Sequence, residues 1–129
     1  MIKLDNVVEV FIPEADNEGK KIESIHIEGG IRRATQAVGG VTITEAVGGW
    51  VSTYKGALMK DDIKIYQWFY EETSRAVLIR AIKSIIAGLI REGGQEAVSI
   101  KVNGTLYIVE AHDLDGDGLE YGGMLRAII

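Results

Sequence analysis

Residues 35–58, TQAVGGVTITEAVGGWVSTYKGAL, set two glycine pairs around one β-branched run and follow the second pair at once with a tryptophan. Gly39-Gly40 reads as a helix end feeding a strand, because glycine adopts the left-handed backbone that a helix C-cap requires. Val41, Thr42, Ile43 and Thr44 alternate apolar and polar, which is the period of a half-buried strand. Gly48-Gly49 then allows a turn or bulge and starts a second strand at Trp50. The stretch predicts a helix followed by strands at 41–47 and 50–55, with a turn region over 56–62 (GALMKDD).

Upstream, residues 7–12 (VVEVFI) read as a strand ended by Pro13, and 14–20 (EADNEGK) as a polar turn. The helix ahead of Gly39 is expected within 21–38, with Gly29-Gly30 interrupting its pattern at about 1 kcal/mol per glycine. Downstream, residues 63–70 (IKIYQWFY) form a strand dense in β-branched and aromatic side chains. Thr73 or Ser74 is placed to cap a helix over 74–91 that stops at Gly93-Gly94. Residues 97–102 (AVSIKV) and 105–110 (TLYIVE) flank Asn103-Gly104, a strong type I′ hairpin signal. Residues 111–129 read as a Gly/Asp loop with a short apolar tail.

The order strand, helix, strands, helix, strands predicts an α+β fold. Its simplest form is a ferredoxin-like, mainly antiparallel sheet with two helices on one face and an added C-terminal hairpin. A chain of 129 residues that is 47% hydrophobic with a single proline is expected to be one domain, 1–129.

Composition removes several function classes. With no cysteine, disulfides and thiolate metal sites are excluded, which suits a reducing cytoplasm. Residues 1–10 bring an acidic Asp5 and no apolar run after it, so no signal peptide is expected. The apolar stretch 77–90 is broken by Arg80 and Lys83 and is expected to cross no membrane. The formal net charge of -5 argues against a binder of long nucleic acid, which would carry a basic footprint. Yet Arg75, Arg80, Lys83 and Arg91 fall within 75–91 with no acid among them, enough to hold a small anion locally.

In that helix Leu78, Ile79, Ile82, Ile85, Ile86, Leu89 and Ile90 fall within an arc of about 140° at 3.6 residues per turn. A helix on one face of a sheet needs roughly 100°. The excess predicts packing on two sides, against the sheet and against a second subunit in a homodimer or higher homo-oligomer. The plain alternative is a core helix also covered by the C-terminal tail. Arg80, Lys83 and Arg91 share the opposite stripe, and such stripes are commonly solvated. Arg75 instead projects within the apolar arc near the helix start, where it either snorkels out or meets an anion beside free backbone N–H groups.

Asp113, Asp115 and Asp117 match the opening of a calcium loop, but position 12, where a bidentate glutamate should close it, is Met124. Glu120 is the remaining oxygen donor, and an acidic turn-rich loop is the plain alternative. No metal site or cofactor is assigned. His26 and His112 have no metal-ligand spacing, and His112-Asp113 has no nucleophile motif beside it. Tyr66, Trp68 and Tyr70 lie on one face of their strand, with Ile63, Ile65 and Phe69 on the other available to the core. The aromatic face then needs its own partner: a helix, a subunit interface or a flat ligand. Stacking on a nucleobase supplies about 1–3 kcal/mol, and Arg75 follows within reach of a phosphate.

Several elements in order carry a resemblance: V-E-V-F-I-P at 8–13, a helix ending in Gly39-Gly40-Val41-Thr42, then Gly49-Trp50. A turn from Gly56 to Leu58 into an Ile-rich strand, a long helix, and G-Q-E-A-V-S-I at 94–100 complete it. Over roughly residues 7–110 the chain resembles the phage Thoeris anti-defence proteins of the first type. The resemblance implies a sponge with no catalytic activity, sequestering a cyclic nucleotide immune signal in the cytoplasm of an infected bacterial host. That signal is a cyclic ADP-ribose isomer, and for some members also a cyclic oligonucleotide. It also implies dimers, or dimers built into hexamers. The residues themselves nominate the ligand contacts: Tyr66, Trp68 and Tyr70 as aromatic surface, and Arg75, Arg80 and Arg126 as anion partners. The alternative is a structural or adaptor protein of a phage assembly with no small-molecule ligand.

Overall fold

The structure, a computed structural model, describes residues 1–115 and 123–129. Among them the strands are β1 (Asn6–Pro13), β2 (Thr42–Val51), β3 (Leu58–Tyr70), β4 (Ala97–Val102) and β5 (Thr105–Glu110). The helices are α1 (Ile25–Val38), α2 (Arg75–Arg91), and the short α3 (Ala111–Asp115) and α4 (Gly123–Ile128). The sheet order is β2-β3-β1-β4-β5, every neighbouring pair antiparallel. This is the expected α+β, ferredoxin-like arrangement, with β5 as the added hairpin strand.

The helices begin and end where their capping chemistry dictates. Ser24 is extended, and its hydroxyl accepts the N–H groups of His26 and Ile27 at 3.2 and 3.3 Å. That cap starts α1 at Ile25 and leaves 21–24 outside it. Gly39, at φ 96°, donates its N–H to the Thr35 carbonyl and closes the helix as expected. Gly29-Gly30 does not interrupt α1, because close packing uses Gly30. A Cβ there would stand 2.6 Å from Ile85 Cγ1 and 2.8 Å from the Ala81 carbonyl of α2. Ser74 precedes α2, but its hydroxyl donates to the Ala37 carbonyl at 2.9 Å instead of capping. With Ser24 bonded to Glu92 at the other end, α1 and α2 are pinned antiparallel at both ends.

The central stretch departs from expectation. The two predicted strands at 41–47 and 50–55 are one strand, β2, and Gly48 and Gly49 sit within it opposite Asp61 and Lys60. Glycine permits a turn but does not demand one, and here the ladder runs through the pair. The turn lies later, where the Ser52 hydroxyl accepts the Lys55 N–H at 3.1 Å and the Ser52 carbonyl accepts the Gly56 N–H at 2.7 Å. Residues 58–62 therefore belong to β3 instead of a turn. The pairing of β1 with β3 stops at Pro13 and Ile63, so the outer part of the β2–β3 ribbon extends beyond β1.

The aromatic strand also presents the opposite face to the core. Trp68 and Tyr70 are buried beneath the helices with Val8 and Val10, while Phe69 is exposed on the other side. Ile63 and Ile65, alternating with Phe69, share that other side with it. The wide apolar arc of α2 has an intramolecular explanation: Leu114, Leu125 and Ile129 join its buried residues in the core. The C-terminal segment thus takes the place given above to a second subunit. Among the described residues no helix is long and apolar enough to cross a membrane.

Candidate functional site

At the end of the sheet where β1 gives way to α1, the chain leaves a cleft of about 570 Å³. Segment 14–22 forms its lip. The Asp16 carboxylate accepts the N–H groups of Glu18 and Lys20, both at 2.9 Å, and Ala15 bridges to Lys21, so the lip is a braced turn. Ile22, Ile27 and Ile31 supply apolar wall, and Tyr66 of β3 also lines the cleft. The Tyr66 ring stacks on Trp68, centroids 6.1 Å apart and planes 21° from parallel. Lys21, Glu28 and Lys64 bring charge to the same space. Lys64 stands 3.5 Å from the carboxylate of Glu14. A partly apolar cavity of this size with a few convergent charged groups suits a small molecule that has a flat ring and an ionic tail.

A second pocket, about 370 Å³, is lined by Arg75, Ala76, Ile79, Arg80 and Arg126. Arg75 opens α2, at the end where Ser74 meets Ala37, opposite the end carrying the cleft. Its Nη2 donates to the carbonyl of Arg126. Tyr70 lies close by and donates its hydroxyl to the Ile129 carbonyl at 2.9 Å. Burial pushes the Tyr70 phenol above its ordinary value, with the Arg75 charge acting the other way and Glu72 reinforcing the rise. Three guanidinium groups around one pocket suit a phosphate or carboxylate.

The structure thus brings Arg75, Arg80 and Arg126 together. Tyr66 is separated from them and lines the cleft. Trp68 donates its indole N–H to Thr35 Oγ1 at 3.1 Å, and both Trp68 and Tyr70 are spent on the core. Sequence reasoning missed Lys21, Ser24, Glu28 and Lys64. Only Ser24 carried a local signal, as a cap residue before a periodic run; the others meet only through the fold.

Ser24, His26 and Glu92 also converge, but as a tie between helices. Ser24 donates to Glu92 Oε1 at 2.8 Å, and His26 Nδ1 lies 2.6 Å from the same oxygen. The serine is bonded to the carboxylate and not to the imidazole, so the trio lacks a nucleophile–base pair. The stretch that matches the opening of a calcium loop lies outside the described residues from 116 onward. Asp113 uses Oδ2 to accept the Glu110 N–H at 2.9 Å, and Asp117 and Glu120 lie outside the described residues. No cluster of metal-ligating side chains occurs among the described residues.

No family model matches the chain, and no curated protein matches it significantly in sequence. Solved structures of a phage SAM lyase are among those that share its fold. A phage SAM lyase in complex with S-methyl-5′-thioadenosine superposes with a TM-score of 0.56 and 13% identity, over 87% of this chain and 96% of the other. A phage SAM lyase without ligand superposes with a TM-score of 0.51 and 13% identity, over 86% and 95%. The expectation of a chain without catalytic activity is corrected by this likeness: the chain has the fold of a phage enzyme that holds a small molecule.

Proposed function

We propose that this chain is a small-molecule enzyme acting on S-adenosylmethionine or a close adenosine-bearing sulfonium, with the Tyr66 cleft as its site. The likeness to the phage SAM lyase over nearly its whole length carries this reading. The chemistry of the cleft supports it. The Tyr66 ring offers a face to adenine or to the sulfonium cation. Glu28 supplies negative charge toward the sulfonium, and Lys21 and Lys64 supply positive charge toward the amino-acid carboxylate. In a lyase reaction on this substrate, the bond between sulfur and the amino-acid side-chain carbon breaks. The electron pair goes to sulfur, which becomes the neutral thioether of S-methyl-5′-thioadenosine. The amino-acid fragment closes on its own carboxylate or loses a proton, so charge balances without any oxidant.

The test is to incubate the purified protein with S-adenosylmethionine and follow the products by mass spectrometry. Release of S-methyl-5′-thioadenosine by the wild type, and its loss in Tyr66→Ala, is expected. S-Adenosylmethionine that stays intact and does not raise the melting temperature would overturn the reading.

The arginine pocket favours a second ligand class. Arg75, Arg80 and Arg126 are suited to the phosphates of an adenine nucleotide, and a cyclic ADP-ribose signal carries two. Thermal melts against cyclic ADP-ribose isomers and cyclic oligonucleotides test this, since a ligand that binds only the folded state raises stability. A shift abolished by Arg80→Ala supports it, and a flat response removes it.

A further inference from the structure

We propose that a pocket between the start of α1 and the later turns of α2 is a binding site for a small phosphomonoester. It encloses about 520 Å³, and Ala87 lies at its centre on α2. Lys83 stands one turn before Ala87, Arg91 one turn after it and Arg80 about two turns before it. At 3.6 residues per turn these positions fall on one stripe of the helix, so three cations flank the low ground left by a small side chain. Gly88 lets the neighbouring helix close in beside them. A Cβ there would stand 2.9 Å from Ile27 Cγ1 and 3.2 Å from Ser24 Oγ. The first turn of α1 therefore packs directly against α2, and His26 forms the adjoining wall.

The donors select the ligand. Arg80, Lys83 and Arg91 come from different turns, and Ser84 adds a hydroxyl. A planar carboxylate has two oxygens and is satisfied by one guanidinium fork. A phosphate monoester presents three acceptor oxygens and a charge of about −1.5 to −2 at neutral pH, which suits donors converging from several turns. Lys83 and Arg91 have contacts of their own. An ammonium has three donors and a guanidinium five, so each can serve a second acceptor. Glu92 brings a carboxylate to the same pocket, but its Oε1 is engaged by Ser24 Oγ at 2.8 Å and by His26 Nδ1 at 2.6 Å. That charge is bound into the tie between the helices and leaves the cations in excess. In a chain with a net charge of -5, such a pocket concentrates anions locally. Its volume exceeds a bare phosphate and suits a carrier of nucleoside or sugar size. Arg80 is shared with the pocket of Arg75 and Arg126, but the seat over Ala87 lies about two turns further along α2.

The site does not depend on what the Tyr66 cleft holds. The test follows the His26 ring by proton NMR in the full chain at constant ionic strength. The other histidine, His112, lies outside the pocket and serves as the control. Inorganic phosphate, AMP and adenosine are the probes. Saturable movement of the His26 signals with phosphate, and at lower concentration with AMP, is expected, with none from adenosine and none at His112. Ala87→Glu sets a carboxylate in the seat, one turn from both Lys83 and Arg91. Those pairs support the helix, while AMP should bind roughly tenfold or more weakly. Should that variant fail to fold, Arg91→Ala should weaken AMP in the same way. Arg126→Ala, in the neighbouring pocket, should leave the His26 response in place. A His26 ring unmoved by phosphate and AMP overturns the proposal. So does a response that Ala87→Glu and Arg91→Ala both retain in full, or one that Arg126→Ala abolishes. Phosphate that binds as tightly as AMP overturns the assignment of a monoester.

Discussion

The hydroxyl of Ser24 donates to the carboxylate of Glu92 at 2.8 Å, joining the start of α1 to the end of α2 across 68 residues of chain. The bond from Ser24, and after it the bond from His26, hold the Glu92 carboxyl below the ordinary glutamate range. A depressed carboxyl pKa contributes stability that is present above the unfolded value and is lost as pH falls through the folded value. Urea unfolding of the wild type should therefore weaken on acidification through that window more than unfolding of Glu92→Gln does. Identical pH profiles would show that the carboxylate contributes nothing. Ser24→Ala, which removes the cap as well, should cost about 1 kcal/mol at neutral pH.

Gly30→Ala tests whether helix propensity or helix contact governs α1. Propensity alone predicts a gain of about 1 kcal/mol. The new methyl group would meet the Ala81 carbonyl at 2.8 Å, and a backbone oxygen within a helix has little room to retreat. Overpacking of this kind costs about 1–3 kcal/mol. We expect net destabilisation, read as a lower thermal midpoint, and a raised midpoint would mean that α1 can shift away from α2.

Leu125→Ala examines the claim that the C-terminal segment covers α2. Leu125 is fully buried, on a helix of only 6 residues. Truncating a buried leucine costs about 2–5 kcal/mol. A loss below that range in chemical denaturation would mean that α4 is docked loosely and that something else covers α2.

In the cleft, the conservative and the severe change at Tyr66 should separate. Tyr66→Phe keeps the ring against Trp68 and should retain most ligand affinity, whereas Tyr66→Ala should lower it by the ~1–3 kcal/mol of a stacked base, roughly fivefold to 150-fold. Isothermal titration with S-methyl-5′-thioadenosine reads both. Equal affinity in all three proteins would take the ring out of the site.

The hairpin of β4 and β5 could be read from sequence because its information is local. Asn103, at φ 49°, and Gly104, at φ 87°, are residue types that tolerate such a turn. Asn103 also accepts the Val7 N–H at 2.9 Å, a contact with β1 that no local pattern announces. The end of α1 at Gly39 was legible for the same reason. Gly48-Gly49 was not, since a residue that permits every backbone conformation names none of them. Nor could alternation settle which face of β3 goes inside. Ile63, Ile65 and Phe69 are as apolar as Tyr66, Trp68 and Tyr70, and only the docking of α1 and α2 breaks the tie. Of the candidate site, the cationic character of the α2 start was visible in the spacing of Arg75 and Arg80. Lys21, Glu28 and Lys64 come together from three separate segments, so no window of sequence contains the cleft.

The placement of β1 also bears on how the molecule is made. β1 is made before either of its neighbours, and it is the middle strand of the sheet, flanked by β3 on one side and β4 on the other. It must wait for residues 58–70 before gaining one neighbour and for 97–102 before gaining the second. The β2–β3 and β4–β5 hairpins can zip locally in the meantime, but the strand that unites them closes only long-range contacts, the slowest kind to form. During synthesis the growing chain therefore carries an unsatisfied central strand until residues 97–102 are made, and that is the interval in which chaperones have something to hold.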